Sequence, residues 1–118
     1  MTKVMLAEDD FTMISLLKTL LSLEGFETAT LGPQDDFMTV LRRETPNALL
    51  LDLHLAQGSG LDFLRQLRAD PQFARLAVIM ASGSDVREAC LEAGANVFLL
   101  KPFMPDTLIQ ALRSQLTA

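Results

Sequence analysis

Ala48-Leu49-Leu50-Leu51-Asp52 is four apolar residues ending on an acid. A run this short does not make an ordinary helix, and with no polar residue alternating through it, it suits a strand covered on both faces. Similar runs recur on either side: Val4-Met5-Leu6-Ala7 before it, Ala77-Val78-Ile79-Met80-Ala81 and Val97-Phe98-Leu99-Leu100 after it. Phe26-Glu27-Thr28-Ala29-Thr30-Leu31 mixes polar with apolar residues and reads as an edge strand.

Helical patterns fill the intervals. Met13, Leu16, Leu17, Leu20 and Leu21 recur at helical spacing, with Gly25 as a stop. A second helix around Phe37 and Leu41 must end before Pro46. Ser59 is a candidate cap for a third, with Leu61, Leu64 and Leu67 on its inner stripe and Asp70-Pro71 closing it. Ser84 or Asp85 opens a fourth that stops at Gly94, and Pro105 suits the first turn of a fifth, with Leu108, Ile109, Leu112 and Leu116 facing inward. Strand and helix thus alternate five times, which predicts a doubly wound α/β fold: a parallel sheet with helices on both faces. No linker or low-complexity tract interrupts the pattern, so a single domain spanning residues 1–118 is expected.

Composition narrows the function classes. A formal net charge of −5 argues against direct nucleic acid binding by this domain, because phosphate backbones call for a basic face. The one cysteine, Cys90, has no internal disulfide partner and fits a reducing compartment. Acids follow Lys3 too soon for a signal-peptide core, and no apolar run is long enough to span a bilayer. The expectation is a cytoplasmic domain with no membrane partner.

In open parallel sheets, function gathers beyond the carboxyl ends of the strands. The first strand ends in Glu8-Asp9-Asp10, the third in Asp52, the fourth in Ser82-Gly83 and the fifth in Lys101-Pro102. Each has an ordinary explanation alone: helix-dipole acids, a turn aspartate, a cap, a solvated lysine or an ion-pair partner for Asp52. Together, four inner strands direct reactive groups at one rim. Three carboxylates about 5 Å apart repel by ~3 kcal/mol per pair at an effective dielectric near 20, so such a cluster calls for a cation. Oxygen ligands alone suit Mg²⁺ better than zinc or copper.

With these residues in place, the sequence resembles the receiver domain of bacterial two-component response regulators along its whole length. The resemblance rests on Met5-Leu6-Ala7-Glu8-Asp9-Asp10, Leu49-Leu50-Leu51-Asp52-Leu53 with Gly60 behind it, Ala81-Ser82-Gly83, and Leu99-Leu100-Lys101-Pro102-Phe103. It implies a flavodoxin-like sheet of strand order 2-1-3-4-5. It also implies a signalling switch that catalyses only its own phosphorylation and dephosphorylation. Asp52 matches the phosphoacceptor. Glu8 and Asp9 match the acidic pair that binds Mg²⁺ (or Mn²⁺) with Asp52 and the backbone carbonyl of His54. Ser82 matches the switch hydroxyl and Lys101 the lysine paired with the phosphoryl group. Phe98 stands at the switch aromatic, expected either to turn toward the core on phosphorylation or simply to pack there. The implied partners are a histidine kinase or phosphotransfer protein as donor and an output protein that reads the surface around the fourth helix, fifth strand and fifth helix.

Two departures stand out. The family commonly has Met-Pro three and four residues after the phosphoacceptor; here Leu55-Ala56 occupies those places, which is expected to loosen the loop. Ser82 stands where Thr is commoner, keeping the hydroxyl. The alternative class, an Mg²⁺-dependent phosphohydrolase, normally needs a second acid close to its nucleophile, and Leu53-His54-Leu55 offers only His54.

Overall fold

The structure, a computed structural model, describes residues 2–116. Five parallel strands make the main sheet: β1 (Lys3–Ala7), β2 (Glu27–Thr30), β3 (Ala48–Asp52), β6 (Ala77–Ser82) and β7 (Val97–Leu100). Their spatial order is β2-β1-β3-β6-β7, which is 2-1-3-4-5 counted within the sheet. The helices are α1 (Phe11–Leu23), α2 (Phe37–Glu44), α3 (Gly60–Ala69), α4 (Arg87–Glu92) and α5 (Pro105–Leu116).

The alternation of side chains along each strand creates two cores. Val4, Leu6, Leu50 and Ile79 point toward Leu17 and Leu21 of α1 and Leu108 and Leu112 of α5. Met5, Leu49, Leu51, Val78 and Met80 point the other way, onto α2, α3 and α4. The middles of the inner strands are apolar because both faces are covered, while β2, at the edge, is partly exposed.

The helix boundaries follow local chemistry, with two corrections. Gly25, at φ +89°, ends the turn after α1 as expected, and Thr45 takes a left-handed φ of 42° to close α2 ahead of Pro46. Ser59 stands before α3 but its hydroxyl makes no capping bond. The fourth helix does not open at Ser84 or Asp85; it begins at Arg87, after Val86, which offers no capping oxygen. Asp85 instead reaches the Arg87 amide from outside the helix, at 3.4 Å.

Two small elements carry no sequence periodicity of their own. Residues β4 (His54–Leu55) and β5 (Gly58–Ser59) pair as a short antiparallel ribbon after Asp52, and Pro71–Phe73 form a turn of 3₁₀ helix. Gly60 fits where a side chain cannot: a Cβ there would collide with the Asp52 carbonyl, so α3 starts hard against the end of β3.

Candidate functional site

Because the strands run parallel, their carboxyl ends share one rim. Register places Ala7 beside Leu51 and Asp52 beside Ala81, so the residues following β1 meet the last residues of β3 and β6. Among the described residues, the buried polar or charged side chains are Glu8, 4% exposed, and Ser82, 2% exposed. Buried polar groups concentrate at functional sites, and both of these were expected at this rim.

Glu8 turns inward. Its Oε1 accepts from the amides of Asp9 at 3.1 Å and Asp10 at 3.0 Å, and its Oε2 accepts from Lys101 Nζ at 2.8 Å. Asp10 is a helix cap, accepting from the Thr12 and Met13 amides. Asp9 is exposed and its carboxylate makes no bond among the described residues, so it is free to face a ligand. Asp52 ends β3 with Oδ1 accepting from the Leu53 amide at 3.0 Å and lying 3.2 Å from Lys101 Nζ.

The lysine therefore bridges two acids. Burial and the neighbouring Glu8 charge push the Asp52 carboxyl above its ordinary range, against the opposing pull of Lys101 and the Leu53 amide. Burial alone would lower the Lys101 ammonium, but the Glu8 hydrogen bond and the two carboxylate charges outweigh it and raise it. Lys101 is placed by its own backbone, whose amide donates to the Ser82 carbonyl at 2.8 Å. Ser82 Oγ accepts from the Ser84 amide at 3.1 Å, a bond that does not use its own hydroxyl hydrogen.

The expected cluster of three free carboxylates is corrected here. Glu8 and Asp52 converge on Lys101 while Asp9 stays outside, and among the described residues no three acid, histidine or cysteine side chains form a ready-made metal cage. The donor set still fits Mg²⁺, which is usually held by one or two carboxylates with waters and a phosphate oxygen completing its shell. Asp52, raised by its surroundings, is a carboxylate that a cation would favour. Beside Glu8 and Asp9 opens a cleft of about 620 Å³, walled by Phe11, Lys18, Gly32 and Ala56 among others.

Phe98 stands in β7. Its ring already lies in the core, 3% exposed, with the Arg87 guanidinium over its face at 5.3 Å from the centroid. His54 is exposed and belongs to the β4–β5 ribbon. Sequence reasoning missed Arg87 and Gln57, whose contacts lie across tertiary space and leave no periodic mark.

Residues 4–113 match the response regulator receiver domain family. The DNA-binding response regulator MtrA of Mycobacterium tuberculosis is 33% identical over 116 residues, covering 97% of this chain and 50% of MtrA. The chain thus spans about half the length of the curated relatives it matches first. Among solved structures, the BeF3-activated N-terminal receiver domain of Klebsiella pneumoniae RstA superimposes with a TM-score of 0.88 at 27% identity, covering 99% of this chain and 100% of that one. The receiver domain of the Pseudomonas aeruginosa sensor histidine kinase PA1611, which has a magnesium ion in its active site cleft, gives a TM-score of 0.84 at 24% identity, covering 99% of this chain and 98% of that one.

Proposed function

This chain belongs to the response regulator receiver domain family, and from that premise we propose that Asp52 is the residue that accepts the phosphoryl group. Receiver domains are phosphorylated on aspartate, and they act as signalling switches between histidine kinases and output domains. The observation that carries the residue assignment is the convergence of Glu8, Asp52, Ser82 and Lys101, two of them buried polar side chains, at one sheet rim.

The phosphodonor is a histidine kinase or a phosphotransfer protein. An Asp52 oxygen attacks phosphorus while the bond from phosphorus to the donor's imidazole nitrogen breaks, and the electron pair leaves with the imidazole. Asp52 must be ionised at that moment, and no general base is needed because the carboxylate has no proton to lose. Asp9, Asp52 and the His54 carbonyl would hold Mg²⁺, with Glu8 adding charge at close range. When bound, that ion neutralises charge between the incoming phosphoryl oxygens and the acids. The rest is done by this chain's own groups. Lys101 is positioned to leave Asp52 and pair with a phosphoryl oxygen, and the Ser82 hydroxyl has a hydrogen to donate to another. Both movements bear on the loop ahead of α4, whose first residue, Arg87, covers Phe98.

The test is labelling with a small phosphodonor, with and without Mg²⁺, read by mass spectrometry of the intact protein. One phosphate is expected with Mg²⁺, and none in EDTA or in Asp52→Asn. Labelling of Asp52→Asn would sink the site, and equal labelling in EDTA would sink the metal.

A further inference from the structure

The chain has no proline between Leu53 and Gly60, yet the segment folds back into an ordered ribbon. Two residue pairs, His54 with Ser59 and Leu55 with Gly58, are too few to hold a hairpin by themselves. The missing constraint comes from Gln57 at the turn. Its Nε2 donates to the carbonyl of Gly32, a residue 25 positions earlier in the loop after β2. Gly32 is fixed in turn, its amide donating to Asp35 Oδ2 at 2.8 Å.

Packing does not explain a glutamine here. Its other amide atom, Oε1, is buried with no hydrogen-bond partner among the described residues. The one hydrogen bond the side-chain amide makes among the described residues is therefore its donation to Gly32. The bond also sits at a junction: Pro33 and Ala56 wall the cleft beside Glu8 and Asp9, while Pro33 and Gln57 line a second hollow of about 360 Å³.

We propose that Gln57 is a positioning residue: its amide fastens the loop after Asp52 to the loop after β2 and so holds the His54 backbone carbonyl in place relative to Asp52. The proposal rests on the function given above and names the residue that regulates the shape of that site. It also answers the loosened loop that Leu55-Ala56 leads one to expect.

Three proteins test it: wild type, Gln57→Met, and Gln57→Met combined with Ala56→Pro. Methionine keeps length and apolar volume but cannot donate. Proline at position 56 supplies rigidity by another route. Among the described non-glycine residues only Thr45 has positive φ, and the Ala56 amide makes no backbone bond in this turn, so a proline there meets neither a left-handed backbone nor a lost hydrogen bond. Hydrogen exchange is followed at residues 53–60 and, as a control, in β6; the Mg²⁺ dissociation constant is measured by titration. In Gln57→Met, loop exchange should rise about tenfold, the equivalent of one lost hydrogen bond. Mg²⁺ binding should weaken several-fold while β6 exchange stays unchanged, and the double variant should return both values toward wild type. Unchanged loop exchange in Gln57→Met, or a loosened loop with unaltered Mg²⁺ affinity, overturns this proposal alone. A wild type that takes up no Mg²⁺ overturns the proposed function and this proposal together.

Discussion

At the scale of single residues, Asp52 works against the stability of the fold that holds it. Its carboxyl is raised by burial and by Glu8, so the native state holds that proton more tightly than the unfolded chain does. Such a group contributes its full stability below the unfolded carboxylate pKa, about 3.9, and loses it as pH rises through the higher native value. At neutral pH the ionised Asp52 is therefore a cost. Asp52→Asn should melt higher than wild type at pH 7 in EDTA, by about 4 °C per kcal/mol recovered, with the advantage vanishing near pH ~4. Thermal melts across that window decide it; an Asn variant that melts lower at pH 7 would mean that Lys101 compensates Asp52 more than fully. The acids and Lys101 were legible in the sequence because strand ends in a parallel sheet share a rim. Their division of labour was not. Glu8 and Asp9 are adjacent acids, and only the turn after β1 decides that one is buried against Lys101 and the other faces solvent.

Single elements were easier to recognise than to delimit. Strands and helices declared themselves by their apolar period, but the start of α4 depends on how the loop after Ser82 is drawn back by the Ser84 amide, a contact that no cap signal encodes. Arg68 near the end of α3 is a second case. Its guanidinium donates to the carbonyls of Gly94 at 2.9 Å, Phe73 at 2.9 Å and Ala74 at 3.3 Å, and to Asn96 Oδ1 at 3.0 Å. No carboxylate among the described residues takes part; the planar fork is satisfied by carbonyl oxygens from two other loops. Asn96 passes the constraint on, its Oδ1 accepting from the Val78 amide at 2.7 Å. Arg68→Lys keeps the charge but cannot reach four acceptors at once. It should lower stability by about 1.5–3 kcal/mol, the range for hydrogen bonds to a charged group, in chemical denaturation. A loss no larger than that of an exposed lysine swap would show that the fork is decoration.

For the whole molecule, a ligand that binds only the native state raises its stability by mass action. Mg²⁺ at a hundred times its dissociation constant should add about 2.7 kcal/mol, seen as a melting temperature that climbs with Mg²⁺ concentration. Because Asp9 is exposed and outside the Lys101 pairing, Asp9→Asn should barely move the melting temperature in EDTA while abolishing the climb. A strong rise in EDTA would mean that Asp9 repels Glu8 or Asp52 at close range after all. The sheet order itself followed from family resemblance, since periodicity fixes which segments are strands but not which neighbours they choose. That order has a consequence in time. β3 stands in the middle, pairing with β1 through Val4 and Ala48 and with β6 through Ala48 and Ala77, so each contact closes a long stretch of chain. Long closures are slow, and neither flanking pair of strands can join the other until β3 arrives between them. Asp52 is the last residue of that strand, and its partners come from the segments on either side. With Asp52 as the proposed acceptor, a nascent or half-collapsed chain has no receptive carboxylate to offer, and competence to receive a signal doubles as proof that the sheet has closed around β3.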